Sequence, residues 1–571
     1  MDNLGIARLL TEAADLMELG QENPFKVRAY RNVAQLVAGL PTPIASLTPD
    51  ARRALPGVGK DLSARLDEIL RSGTMQVLED LRAKNPVSLL DLKRLPGIGP
   101  RTMIMLWQEM GIASPSDLEA AIREGRLRTV RGFGPKKEAA LLKALAERHS
   151  VAARHLLPDC YERGEALCAW LSEKAPGARV SIAGGIRRGV ETCTGIDVVA
   201  AGAATARAQI EKAFRTYSLV ESVEAAGGGL RARLWGGMEA RLVFAEPKTY
   251  GLALVWQTGS EAHLDALAAR AKARSLTFTA ASLARGGRPL DATDEEAVYA
   301  ALGLAWIPPE LREGHDELEL AARGPLPRLL ELGDLRGDLH MHTTASDGKV
   351  DIDAMAAAAR DAGLDYIAIT DHSNALPMVN GLDNQRALEH ADAVRAADRR
   401  ISGIRVLAGI ECDILADGRM DLDDAVLQSL DLVIASLHSG LVQPREAATA
   451  RVLRAIANPW VDLLAHPTGR KLLRRPGADF DIDAVIAAAH REGMALEINS
   501  QVDRLDLKPE FARKARDKGI LLAVDSDAHS PRGLALKRWG VIMARRAGLS
   551  AEHCLNALPF DAFRKALRRN R

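Results

Sequence analysis

No run of about 20 apolar residues, the length a membrane-spanning helix needs, occurs in this 571-residue chain. Its opening residues, Met1 to Ile6, lack the basic flank that begins a secretory signal. Cysteine is scarce: Cys160, Cys168, Cys193, Cys412 and Cys554 form an odd, scattered set without zinc-finger spacing. A disulfide framework is therefore not expected, and a reducing, cytoplasmic setting is. Net charge is almost missing, at +1, so nucleic-acid binding must come from local basic patches. What remains is ample for folding. Hydrophobic residues make up 47% and charged residues 26%, a balance that suits several soluble domains.

The most informative pattern lies between Asp338 and His529, where seven short apolar runs nearly all end in histidine or carboxylate. They finish at His340 and His342, Asp371 and His372, Glu411, His438, His466, Asn499, and Asp527 with His529. Ala-rich helical segments, among them 352–362 and 482–492, separate them. Alternation of strand and helix predicts a parallel (β/α)7 barrel with helices outside. Reactive groups in such barrels gather at the C-terminal strand ends. Residues two apart on a strand share a face, which pairs His340 with His342 and Asp527 with His529. The pattern predicts a polynuclear metal site. Imidazole mixed with carboxylate suits Mn2+, Zn2+ or Fe2+ better than Mg2+, and such ions support phosphoester hydrolysis. Asp371, Asn499 and Asp525 are expected to orient ligands. His390, His490 and His553 fall mid-helix; with His149, His155, His263 and His315 they read as structural or exposed.

Three related turns punctuate the first 150 residues: Gly57 and Gly59 before Lys60, Gly97 and Gly99 before Arg101, and Gly132 and Gly134 before Lys136. Glycine permits the tight turn, and the helix that follows opens with unpaired N–H groups at its positive end. Each turn fits one backbone phosphate and reads no sequence, so the set predicts contact with DNA. Upstream, Lys26, Arg28 and Arg31 surround Tyr30 at helical spacing.

This last run resembles the single-strand-binding face of the small domain of family X DNA polymerases, and the resemblance extends along nearly the whole chain. Gly184, Arg187, Arg188, Gly189 and Glu191, leading to Asp197, resemble the family's palm motif. The stretch from Arg241 to Gly251 is similar to the strand bearing the third aspartate, Thr258 to Ser260 to the turn beside the incoming nucleotide, and 301–314 to the end of the thumb. From Asp338 onward the chain resembles the PHP (polymerase and histidinol phosphatase) domain fused to bacterial members. That resemblance implies three divalent ions per barrel. His340, His342, Glu411 and Asp527, also the expected catalytic set, would surround the first. Glu411, His438 and His466 would hold the second, and Asp347, His372 and His529 the third. It further implies 3′→5′ exonuclease, 3′-phosphatase or abasic-site cleavage on gapped, nicked or 3′-ended DNA, and hence nucleoid association.

The departures from the family are as informative. Gly195 stands where the first aspartate is expected and Arg241 where the third is; Gly185 replaces a serine and Leu264 an asparagine. Gly184, Arg188 and Asp197 are left as remnants of a polymerase site. A guanidinium at 241 stays charged and repels cations, so template-directed synthesis is not expected. Glu239, two residues from Arg241, and Glu191 offer substitute carboxylates. An active gap-filling polymerase with a proofreading barrel is therefore one alternative, and a phosphatase of a small phosphate monoester is another. Residues 73–79 hold no lysine, where lyase-competent members carry their nucleophile.

The expected architecture is multidomain α/β and α+β. A small helical domain with a helix-hairpin-helix spans 1–85, a fingers-like pair of hairpins 86–150, a nucleotidyltransferase-like palm 151–260, a thumb 261–318, a hinging linker 319–335, and the PHP barrel 336–571. Residues 563–571 read as a solvated basic helix. Loops 374–385 and 441–451 are expected to set substrate choice. No membrane partner is expected, and the sequence does not reveal protein partners.

Overall fold

The computed structural model describes the whole chain except Pro41, Pro96, residues 130–132, residues 151–153 and Arg571; of 93, 94, 129, 143, 144, 146–150 and Pro377 it describes the backbone alone. Two compact units result. The first joins Met1–His155, Glu162–Ile182 and Thr194–Pro247; the second joins Leu156–Tyr161, Ala183–Cys193 and Lys248–Arg571.

In the first unit, Asp2 caps the helix Asn3–Leu19 by accepting from the Gly5 N–H at 2.8 Å, and Asn23 caps Pro24–Ala38, which begins with proline in its first turn. Their apolar faces, including Ile6, Leu10, Leu16 and Val33, form one core with Leu66 and Met103 of the hairpin helices. Gly57 and Gly97 adopt φ of +78° and +73°, which a side chain would strain. Extended Gly59 and Gly99 then open the helices Lys60–Ser72 and Pro100–Met110. Gly134 immediately precedes the helix Pro135–Ser150, whereas Gly132 lies outside the described residues. Lys60, Arg101 and Lys136 are exposed, and Lys137 lies over the Phe133 ring, 4.1 Å from its centroid. Tyr30, expected on a single-strand-binding face among basic residues, is instead buried in the core, and Arg31 bonds Asp15 and Glu18. Phe25 is the exposed ring of that run.

The palm-like sheet has strands in the order Arg179–Ala183, Gly195–Ala201, Glu239–Ala245, Gly229–Leu234, Val220–Ala226. Gly195–Ala201 and Glu239–Ala245 run parallel, with Gly195 opposite Glu239 and Asp197 opposite Arg241.

The second unit contains a sheet of seven parallel strands in sequence order: Gly337–Asp338, Tyr366–Ile369, Arg405–Asp413, Leu432–Ser436, Leu463–Leu464, Ala495–Asn499 and Leu522–Asp525. A parallel bridge from Met341 to Ala528 links the first and last. Six of these strands are buried along their entire length between the barrel interior and surrounding helices, as expected of parallel strands made from near-continuous apolar runs. Asp351 and Asp481 cap the outer helices Ile352–Asp361 and Ile482–Glu492, and Gly493 ends the latter in a left-handed turn.

Two expectations fail here. Residues 319–335 do not form a loose linker: Ala321 and Leu329 pack with Leu252, Leu267, Tyr299 and Leu318 in a core of the second unit, and the Leu330 N–H bonds the Leu549 carbonyl. The C-terminal segment is not a solvated helix either. Phe563 and Leu567 enter the barrel core beside Tyr366, Leu432 and Leu463. Arg568 donates to carbonyls of Ile456 and Asn458, and Arg569 pairs with Asp462 at 2.7 Å. The arginines follow the open strand starts because carbonyls and one buried carboxylate are exposed to them there.

Candidate metal centre

At the C-terminal ends of the barrel strands, all nine predicted ligands converge. Their donor atoms form overlapping groups within 4.8 Å: His342, Asp347, His372 and His529; His340, His466 and Asp527; His340, His342 and Glu411; and His372, Glu411 and His438. Glu411 is central. Its Oε1 lies 2.9 Å from His466 Nε2 and 3.3 Å from His438 Nε2; its Oε2 lies 2.8 Å from His372 Nδ1 and 3.3 Å from His340 Nε2. Asp527 Oδ1 is 3.2 Å from His342 Nε2, and Asp347 Oδ2 is 3.3 Å from His529 Nε2. The groups overlap more than the expected partition: His342 also faces the Asp347 group, and His372 also faces Glu411.

The donor set fits metal ions better than it fits itself. His340 Nε2, His342 Nδ1 and Nε2, Asp347 Oδ1, His372 Nδ1, Glu411 Oε2 and His466 Nδ1 are buried without a hydrogen bond among the described residues. Buried polar atoms are normally bonded, and here ring nitrogens and carboxylate oxygens crowd together instead. The His342 and His372 rings stack at 4.3 Å. His466 and Asp527 hold left-handed backbone, at φ of +27° and +52°, strain of the kind that collects at functional sites.

Electrostatics divide the protons unevenly. Burial lowers His342 to about 4, with His372 adding to the effect. Burial also opposes charge on His372, yet Glu411 and Asp347 raise it to about 9. His340 is likewise raised well above normal against burial, by Glu497, Asp527 and Glu411. Glu411 and Asp527 are held far below the usual carboxylate range, overriding burial, by the imidazoles around them.

A supporting layer orients these ligands, and much of it was missed in the sequence. Glu497 accepts from His340 Nδ1 at 2.7 Å and from the His466 N–H. Asp413 lies 3.2 Å from His438 Nδ1. Their strand positions, two residues before Asn499 and two after Glu411, were the available signal, because same-face alternation brings them to the site. Asn499 donates to Asp527 Oδ2 at 3.1 Å, as expected. Asp371 instead takes the Thr343 N–H at 2.8 Å and His390 Nε2 at 2.8 Å, so it fixes the loop after His342, and His390 is a working member of the layer. Asp525 bonds the Leu339 N–H, anchoring the strand that carries His340.

The polymerase-like remnants are engaged elsewhere. Arg241 Nε donates to Asp197 Oδ1 at 2.9 Å. Gly184, at φ +68°, opens the short helix Gly184–Arg187, and Arg188 bonds Glu313 and the Thr258 carbonyl. Glu191 pairs with Arg470. His263, buried between Glu317 and Tyr299, is structural as read.

Among known families, the chain matches a helix-hairpin-helix domain over residues 1–75, a SAM-like helix-hairpin-helix tandem over 89–147, a DNA polymerase beta thumb over 253–313 and a PHP domain over 338–501. It is 34% identical to the DNA polymerase/3′-5′ exonuclease PolX of Bacillus subtilis over 578 aligned residues, covering all of both chains. A probable phosphatase of Caldanaerobacter subterraneus is 34% identical over 34% of this chain and 75% of its own length. The probable phosphatase YcdX of Escherichia coli is 33% identical over 34% of this chain and 78% of its own.

Proposed function

Since this chain belongs to the PolX family, in which a family X DNA polymerase is fused to a C-terminal PHP domain, we propose that it hydrolyses phosphoesters at DNA 3′ ends with its barrel and grips DNA with a polymerase-like half that no longer synthesises. The protein is an enzyme that binds DNA, and no helix among its described residues is long and apolar enough to cross a membrane. One contrast carries the proposal. The barrel brings its full ligand set together with buried lone pairs unspent, while Asp197, the surviving palm aspartate, is neutralised by Arg241 at 2.9 Å.

In this reading His340, His342, Asp347, His372, Glu411, His438, His466, Asp527 and His529 hold divalent ions, with Mn2+ or Zn2+ as the chemical fit and Fe2+ after them. Bound there, such ions supply Lewis acidity and a water that ionises near neutral pH. The protein's own groups do the rest. Glu497 and Asp413 fix the tautomers of His340 and His438, Asn499 orients Asp527, and Asp371 holds the loop after His342. Substrates are gapped, nicked or 3′-ended DNA, cut as an exonuclease, 3′-phosphatase or abasic-site nuclease. Loss of synthesis is further supported by Gly195: a Cβ there would sit 2.3 Å from the Glu239 carbonyl oxygen, so even an added aspartate is crowded. A second reading, hydrolysis of a small phosphate monoester, draws support from the probable phosphatases that match the C-terminal third alone.

The test is one gel: gapped DNA with a 5′-labelled primer, Mn2+ and all four nucleotides. Shortening of the primer, abolished by His342→Ala and kept by Asp197→Ala, is expected. Extension abolished by Asp197→Ala would establish the gap-filling alternative instead. An unchanged primer with turnover of a small phosphate monoester would favour the second reading.

A further inference from the structure

The loops around the barrel mouth hold large apolar side chains in water. Val442 is 100% exposed, Met378 93% and Leu473 56%, the highest values for such residues among the described part of the second unit. Met378 follows His372, Val442 follows His438 and Leu473 follows His466, each on a loop running on from a ligand histidine. The loops after His438 and His466 touch, since a Cβ on Gly469 would lie 3.1 Å from the Leu441 side chain. Apolar surface gathered beside a polar site marks a place where a partner binds.

Leu473 is held out by its backbone. Lys471 and Arg475 pair in an antiparallel bridge, with N–H to carbonyl distances of 3.1 and 2.9 Å, and Leu473 stands at the tip between them. Its φ of +60° is left-handed, a conformation that glycine or asparagine adopts at less cost than a branched side chain. The base of this hairpin is fixed. The Leu472 N–H bonds the Asp503 carbonyl at 2.6 Å, and Lys471 Nζ bonds the Asp503 carboxylate at 2.8 Å. Arg470, itself buried, is held by Glu191 with Nη1–Oε2 at 3.2 Å and donates Nε to the Arg504 carbonyl at 2.9 Å. On the far arm the Ala478 N–H bonds the Thr468 carbonyl at 2.8 Å. A strained leucine facing water on a rigid base costs the free protein stability, and an apolar partner over the tip offsets that cost. Exposed Arg474 and Arg475 follow the tip, so the partner combines an apolar face with negative charge. A nucleobase on its sugar-phosphate chain has both. The ligands His340, His342 and Glu411 are fully buried, so a terminal nucleotide must leave the helix stack to bring its phosphodiester to them. Apolar side chains that wedge between bases offset the unstacking.

We propose that Leu473 is a fixed wedge that splits the last base pair at a DNA 3′ end, with Met378 and Val442 forming an apolar collar for the freed base. The inference rests on the barrel acting on DNA ends, and its test separates the two. Cleavage by the full-length, Mn2+-loaded protein is compared on two gapped substrates, one with a paired 3′ terminus and one with a mismatched terminus. Leu473→Asn suits the left-handed turn and removes the apolar tip. It should hold or raise Tm, slow cleavage of the paired end by about tenfold or more, and leave the mismatched end within about threefold of the parent. Leu473→Met should recover most of the loss, and Met378→Ser combined with Val442→Ser should also favour the mismatched end. Separately, a paired 3′-terminal 2-aminopurine, joined through a phosphorothioate that slows cleavage, should brighten on binding the parent and markedly less on binding Leu473→Asn. A paired-to-mismatched rate ratio within twofold of the parent's in Leu473→Asn, or equal brightening, would overturn the wedge. The parent's ratio in the double serine variant would overturn the collar. If the 2-aminopurine brightens as expected but no DNA end is cleaved, the function proposed above fails and the wedge stands. Loss of a parent dimer in Leu473→Asn, seen by sedimentation with both ends cleaved at parental rates, would assign the patch to self-association instead.

Discussion

Asp197 and Arg241 face each other on adjacent parallel strands, with the guanidinium donating to the carboxylate at 2.9 Å. On the function proposed above, the pair sits where a family X palm gathers carboxylates around cations, and the guanidinium stands in place of a cation. Removing the arginine is not enough to reverse this, because Gly195 supplies no carboxylate. Arg241→Asp is therefore expected to leave primer extension undetectable. Adding Gly195→Asp forces a side chain against the Glu239 backbone and should lower stability by about 1–3 kcal/mol, the usual cost of overpacking, measured by denaturant unfolding. Extension by Arg241→Asp alone would defeat the argument.

Glu497 touches two ligands at once, His340 through its ring and His466 through its backbone. Glu497→Gln keeps the shape but loses the negative charge that favours the His340 tautomer. Loss of such a support typically costs about 10–100-fold in metal affinity. Competition with a chelator should show a drop of that size for Mn2+, while the circular dichroism spectrum stays that of the parent. Unaltered affinity would mean that Glu497 is only a structural acceptor.

The centre was legible because its chemistry is local. Eight of the nine ligands end apolar runs, Asp347 lying in a turn instead, and period-two alternation fixes which face each joins, so His340 could be paired with His342 and Asp527 with His529 from spacing alone. Glu497 obeys the same alternation but sits one step inside its strand, where a carboxylate reads as an oddity of the core, and Asp413 follows Glu411 on the same face without ending a run of its own. Arg470 was invisible, since its meaning lies in a contact with Glu191, 279 residues away. The terminal arginines misled for a related reason. Basic residues at a chain end look solvated until tertiary structure presents carbonyls of Leu427, Leu430 and Trp460 to Arg569.

Metal affinity should rise with pH. His372 is raised to about 9 and His340 is raised too, so both hold protons at pH 7 in the metal-free protein. A protonated ring nitrogen cannot ligate, and binding must release those protons. Affinity is thus weakest at low pH, climbs as pH rises, and levels off once pH passes about 9 for His372. Glu411 and Asp527, held far below the usual range, contribute no proton in this window. Mn2+ titrations in buffers of different ionisation enthalpy should reveal proton uptake by buffer at pH 7. A flat affinity between pH 6 and 9 would contradict this.

Arg569 supplies the charge that pairs with Asp462, whose side chain is fully buried at the strand starts. Arg569→Ala leaves that carboxylate uncompensated, with burial already pushing its pKa up. Breaking one partner of a buried pair costs about 3–5 kcal/mol, and a fall in unfolding free energy of that order is expected. Asp462→Asn in the same background should restore part of it. Lying at the opposite end of the strands from the ligands, the change should leave Mn2+ binding to the folded fraction intact.

Lys60 and Arg101 each sit in the first turn of a helix opened by an extended glycine, Gly59 or Gly99. We propose that the helix-start N–H groups there and the adjacent cation make one phosphate site per hairpin. If each contacts one phosphate, Lys60→Ala with Arg101→Ala should weaken binding to gapped duplexes of unrelated sequence by the same factor. It should also flatten the slope of log affinity against log salt by about 0.9 per lost contact, roughly 2 in total. Turnover of p-nitrophenyl phosphate, which needs the barrel and not the hairpins, should not change. A sequence-dependent loss, or a slope equal to the parent's, would mean that these turns connect helices without touching the backbone of DNA.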